Sequence, residues 1–270
     1  MRESAVRFGR GQRLHGILTE PATGRPRQVL VLVNAGFVPK FGPHRVYGQL
    51  ARTLVGGGVA TLRFDLSGLG DSLPDGAAPL RDRTREEIRA AVDAVSARFP
   101  EAELVVGGVC SGAEDSLRHA DVDARVRRMV LVDPFSYRTA GWGWRHALHR
   151  VGRRTLRTLG LWSPLSSADR ANLVAYRYME RAESERILRA LVVRGTAMHF
   201  IYTAGLRESF NHPDQLWKMF PSIPLSRVAT VDFVSHLEHT QLLQEDRDTL
   251  IRLIGRRIAP PSAVDARHRG

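Results

Sequence analysis

Short runs of apolar residues, rich in β-branched side chains, recur along the chain and are separated by stretches with helical spacing. The clearest run is Val29-Leu30-Val31-Leu32-Val33. An uninterrupted aliphatic segment of that length predicts a strand buried on both faces. Comparable runs predict strands at Val59–Phe64, Leu104–Gly108, Met129–Val132, His199–Thr203 and Val228–Phe233. Between them, apolar positions at helical spacing predict helices over His44–Val55, Thr84–Phe99, around Pro213–Phe220 and over Thr240–Ile258. Gly56-Gly57-Gly58 closes the first of these and Pro100 stops the second, while Thr84-Arg85-Glu86-Glu87 has the form of a capping box. Ahead of the alternation, Ala5–Phe8 and Arg13–Leu18 flank Gly9–Gln12 and predict a hairpin.

Strands alternating with helices predict a single α/β domain with a mostly parallel central sheet flanked by helices. The alternation lapses from about 137 to 191, where an Arg-rich segment of helical pattern holds Trp142, Trp144 and Trp162. That segment is expected to be an insertion. The polar tail from about 260 to 270 is expected to fray.

Composition narrows the function classes. A chain of 270 residues, 43% hydrophobic, can bury a sizeable core and is no disordered segment. A single Cys excludes a disulfide framework and any multi-cysteine zinc site, and fits a reducing compartment. No apolar stretch is long enough to span a bilayer, and Met1-Arg2-Glu3-Ser4 lacks the apolar core of a signal peptide, so the expected location is the cytoplasm. The net charge is +12, and of the 40 basic residues only Lys40 and Lys218 are lysines. Arginine spread over solvated faces accounts for this excess without a nucleic-acid partner, and none is expected.

The segment with most chemistry is Gly107-Gly108-Val109-Cys110-Ser111-Gly112-Ala113, placed between a buried strand and a helical stretch. A nucleophile on a sharp strand-to-helix turn sits in strained dihedrals, so its neighbours two positions away must be tiny. Gly108 and Gly112 meet that demand around Cys110. Ser111 competes for the role, but centring the turn on it would put the β-branched Val109 at a position requiring a small residue. A helix N-terminus facing the sulfur favours negative charge there. The plain alternative is a small buried Cys in a glycine-rich turn.

Two further segments occur in a telling order: Val33-Asn34-Ala35-Gly36-Phe37 after one strand, and Asp65-Leu66-Ser67-Gly68-Leu69-Gly70-Asp71-Ser72 after the next. With the nucleophile turn, these make the chain resemble the α/β-hydrolase superfamily from about residue 5 to 258. The fuller run, Asn34-Ala35-Gly36 with Gly42-Pro43-His44-Arg45-Val46-Tyr47, is similar to bacterial hydrolases of the exosortase-associated kind. The sequence departs from most of that superfamily in having Cys110 where Ser is usual, and Ala35-Gly36 where His-Gly is usual.

The resemblance implies a triad in the order nucleophile, acid, histidine. It assigns the backbone N–H groups of Phe37 and Ser111 to an oxyanion hole. His239, at the start of the last helical stretch, aligns with the base, and His236 is the alternative. Glu208, in the loop after His199–Thr203, is the first choice of acid; Asp133, ending the preceding strand, is the second. The resemblance also makes the insertion a lid. The expected activity is hydrolysis or acyl transfer on an ester or thioester through an acyl-cysteine, without metal or other cofactor. Arg138, Arg145, Arg150, Arg153, Arg154 and Arg157 could draw a coenzyme A or carrier-protein thioester to the mouth. The rival class is a non-catalytic protein of the same fold that binds a small ligand or a partner.

Overall fold

The computed structural model describes residues 1–74, 80–144, 179–206 and 209–258. Eight strands form one sheet: β1 (Arg2–Phe8), β2 (Leu14–Glu20), β3 (Gln28–Val33), β4 (Val59–Phe64), β5 (Glu103–Val109), β6 (Val126–Val132), β7 (Ala197–Thr203) and β8 (Ala229–Val234). Their spatial order is β1-β2-β4-β3-β5-β6-β7-β8. β1 pairs antiparallel with β2, as does β2 with β4, and every later pairing is parallel. The expected hairpin and the parallel sheet are both present.

The side-chain alternation of β3 explains why it reads as one unbroken apolar run. Val29, Val31 and Val33 face one core, and Leu30 and Leu32 face the other. The first core lies under α2 (Leu80–Arg98), α3 (Ser111–Val122) and α4 (Arg181–Arg194), which contribute Ile88, Val92, Leu117, Ile187 and Leu191. The second lies under α1 (Val46–Leu54) and the final helix, α6 (Gln244–Ile258), through Leu50, Leu54, Leu250 and Ile254. A short α5 (Gln215–Met219) precedes β8. No helix among the described residues is long and apolar enough to cross a membrane.

Several helix starts differ from the periodicity. α1 begins at Val46 instead of His44, because Gly42, His44 and Arg45 all take positive φ (70°, 44° and 65°). α6 begins four residues after Thr240, since Gln241 has φ 49° and breaks the turn. The Thr84–Glu87 capping box is not used: α2 already starts at Leu80, and Glu87 Oε2 instead accepts the Ser67 N–H at 2.9 Å. Residues 181–194, which overlap the end of the expected insertion, form α4, which packs against α3 and leads into β7. Residues 145–178, including Arg145, Arg150, Arg153, Arg154, Arg157 and Trp162, lie outside the described residues, as does the 260–270 tail.

Candidate active site

β5 delivers Cys110 to the C-terminal edge of the sheet, and α3 starts at the next residue. The turn between them has Cys110 at φ 55°, ψ −123°, a region that ordinary residues avoid. The flanking glycines are sterically forced. A Cβ on Gly112 would lie 2.4 Å from the Asn34 carbonyl oxygen and 2.5 Å from that of Val33. One on Gly108 would lie 2.8 Å from the Gly112 backbone. The Cys110 N–H donates to the Val132 carbonyl at 2.8 Å, so the strained residue is held by the neighbouring strand.

Opposite the sulfur, the loop from β8 to α6 brings in His239. Its Nδ1 lies 2.7 Å from Asp133 Oδ2, and the Cys110 thiol is its other hydrogen-bonding partner. Asp133 is fully buried at the end of β6, at φ 49°. Its Oδ1 accepts the Thr203 N–H at 2.7 Å and its Oδ2 accepts the Thr203 hydroxyl at 2.5 Å. These two bonds hold the carboxylate in place beside the imidazole. Burial alone would lower the His239 proton affinity. The Asp133 hydrogen bond, the Cys110 hydrogen bond and the charges of both reverse that, and its pKa is pushed up to about 10. The ring keeps 22% of its surface exposed, which leaves an edge open to the approach of a substrate.

The structure thus brings Cys110, His239 and Asp133 together. Glu208, the first-choice acid from the sequence, lies outside the described residues. His236 is exposed three residues before His239. Ser111 Oγ accepts the Gly36 N–H at 2.6 Å, a task that ties its side chain to the loop after β3 rather than to His239. The Phe37 side chain is 90% exposed. No hydrogen-bond acceptor among the described residues takes the N–H of Phe37 or of Ser111.

The loop carrying Phe37 is fastened by the residues of the Asp65–Ser72 motif. Asn34 Nδ2 donates to the Val38 carbonyl at 2.7 Å, and its Oδ1 accepts the Leu66 N–H at 2.8 Å. Buried Lys40 gives its backbone N–H to Asp65 Oδ1 at 2.6 Å, while its ammonium reaches Asp65 at 2.6 Å and Asp71 at 2.5 Å. Desolvation would weaken the Lys40 charge, but the two carboxylates outweigh it and raise its pKa. Ser72 Oγ closes the motif onto the Asp65 carbonyl at 2.7 Å. Sequence reasoning recognised the motif without its role, which is mechanical.

Within the segment expected as a lid, Tyr137 Oη donates to the Met179 carbonyl at 2.6 Å, and Glu114 accepts the Met179 N–H with both oxygens at 3.0 Å. Arg138 stacks 4.1 Å over the Trp142 ring, so its charge is partly spent on that contact. Trp144 is exposed. No group of three or more His, Cys, Asp or Glu that could hold a metal occurs among the described residues.

Comparison with solved structures places this architecture. An α/β serine hydrolase without a lid from Xanthomonas campestris is 15% identical, with 97% of each chain covered and a TM-score of 0.60. An esterase domain from Rhodothermus marinus is 17% identical over 94% of this chain and 97% of that one, with a TM-score of 0.59. An α/β serine hydrolase homologue from Coxiella burnetii is 16% identical over 96% and 97%, with a TM-score of 0.56. The chain has the α/β-hydrolase fold. Neither a protein-family model nor a curated protein matches the sequence.

Proposed function

We propose that this protein is an acyl hydrolase that cleaves an ester or thioester through an acyl-Cys110 intermediate. The observation that carries the reading is the alignment of strained Cys110 with His239 and of His239 with buried Asp133. A side chain held in a costly backbone conformation and paired with an oriented imidazole is an arrangement suited to nucleophilic catalysis.

In the first step, Cys110 Sγ attacks the carbonyl carbon and its proton resides on His239. The carbonyl electron pair moves to oxygen, where the Phe37 and Ser111 N–H groups would receive it. Collapse breaks the bond to the alkoxide or thiolate, which takes the proton from His239 Nε2. In the second step, His239 accepts a proton from water as the water oxygen attacks the acyl-cysteine. The acid is then released and the thiol regenerated. Asp133 keeps Nδ1 protonated and stabilises the imidazolium throughout. An alcohol or amine in place of water would make the same machinery an acyltransferase.

Structural neighbours described as esterases and serine hydrolases support ester chemistry through their shared fold, and the thiol broadens the range towards thioesters. The likeness of Asn34–Gly36 and Gly42–Tyr47 to exosortase-associated hydrolases is compatible with the same chemistry. Intact-mass analysis after mixing with p-nitrophenyl butyrate and short-chain acyl thioesters tests the proposal. An acyl adduct that maps to Cys110 and is absent from Cys110→Ala is expected. Turnover that survives in Cys110→Ala and is lost in Ser111→Ala would move the nucleophile to Ser111.

A further inference from the structure

β3 and β5 run in parallel register as far as Val33 opposite Gly108, and there they part. β3 continues into the loop that carries Phe37, and β5 enters the turn that carries Cys110. At the point of divergence no direct backbone bond can bridge the strands, and a side chain from α1 takes its place. The Val109 N–H donates to the Tyr47 hydroxyl oxygen at 2.9 Å, and that hydroxyl donates to the Val33 carbonyl at 3.0 Å. The phenol serves as one extra rung of the sheet, inserted one residue before the nucleophile.

Tyr47 is buried, and its ring lies against Gly42 so closely that a Cβ there would come within 2.7 Å of it. Burial also holds the phenol protonated, so that it can donate and accept at once. A second tie, from the Gly36 N–H to Ser111 Oγ, lies on the other side of the gap. The two proposed oxyanion donors sit on opposite banks, Phe37 on the continuation of β3 and Ser111 on the continuation of β5.

We infer that Tyr47 is a positioning residue which sets the spacing between the loop after β3 and the Cys110 turn, so that the Phe37 and Ser111 N–H groups converge on one oxygen. This rests on the acyl-transfer reading of the site. Such spacing matters only when negative charge develops on that oxygen, so it should act on the chemical step and leave the reactivity of the sulfur itself unchanged.

The test is Tyr47→Phe in the full chain, which keeps the ring and removes only the rung. Three measurements are made: steady-state hydrolysis of p-nitrophenyl butyrate, the rate of Cys110 alkylation by iodoacetamide, and amide hydrogen exchange. The expected result is a fall in kcat of about tenfold to a hundredfold, the scale of a misplacement approaching 1 Å, with KM held within about twofold. Alkylation, which forms no oxyanion, should stay within about twofold of the wild type. Exchange should quicken in residues 34–42 and 109–113 and nowhere else. Loss of folding, equal losses in alkylation and turnover, or an unchanged kcat would each overturn the inference. If the wild type forms no acyl-cysteine with any ester or thioester, the functional reading fails. Exchange then decides the tie alone, with local loosening sustaining it and unchanged protection refuting it.

Discussion

The two halves of the candidate site are held in place by different physics. On the nucleophile side, Cys110 stands between two buried strands and a helix, with glycines where any Cβ would strike backbone. On the base side, His239 comes from a loop and is oriented mainly by side-chain hydrogen bonds. Asp133 holds the ring, the Gln241 carboxamide bonds the His239 carbonyl, and Arg247 grips the Gln241 carbonyl at 2.9 Å and that of Leu242 at 2.7 Å. One half is fixed by excluded volume and the other by polar contacts. Damage to the first should therefore appear mainly in folding, and damage to the second in chemistry and in the pH dependence of stability.

The sharpest break is His239→Ala. Removing a positioned base is expected to slow acylation by about a hundredfold or more, and because it leaves buried Asp133 without its cationic partner the thermal transition at neutral pH should fall as well. Single-turnover kinetics beside a melting curve measures both. Gly112→Ala should act on folding first. Its methyl group cannot avoid the Val33 and Asn34 carbonyls, and overpacking of this sort costs about 1–3 kcal/mol, readable from denaturant unfolding.

Asp133→Asn should be milder than His239→Ala, lowering kcat about tenfold, because a Cys–His pair depends less on its orienting acid. If instead Asp133→Asn leaves the rate untouched, the orienting role belongs to another group, with Glu208 the first to substitute.

A pH series refines the comparison further. His239 has a proton affinity in the folded state, near 10, above its ordinary value of 6.5. Its contribution to stability is therefore complete below pH 6.5 and is lost as the pH climbs through about 10. Wild-type stability should decline over that window, and the decline should shrink in Asp133→Asn. Smallest of all should be His236→Ala, whose exposed ring is expected to change turnover by no more than about twofold.

The same contrast explains what could be read from the chain before its folding was known. Steric necessity writes itself into residue type: Gly108, Cys110 and Gly112 announce the turn, and the β3 run announces a doubly covered strand. Polar positioning does not. In the sequence Asp133 comes directly after β6 and Glu208 five residues after β7, and adjacent strands lie only about 4.8 Å apart, so spacing along the sequence cannot choose between the two acids. Tyr47 sits at an apolar position of α1 and reads as core; only the two bonds of its hydroxyl reveal a second duty. The starts of α1 and α6 depart from the apolar periodicity for a related reason. Positive φ at His44, Arg45 and Gln241 is imposed by the loops around the site, against local preference.

Lys40 has a consequence for chemical labelling. It is one of two lysines, and its amine is buried, charged and clasped by Asp65 and Asp71, whereas Lys218 lies exposed on α5. An amine-directed dye or surface linker should therefore attach to the Lys218 side chain and spare that of Lys40, so a tether placed this way leaves the loop bearing Phe37 unmarked. Any label that does appear on Lys40 reports that the clasp has opened, and turns a silent structural ion pair into a reporter of that loop's release.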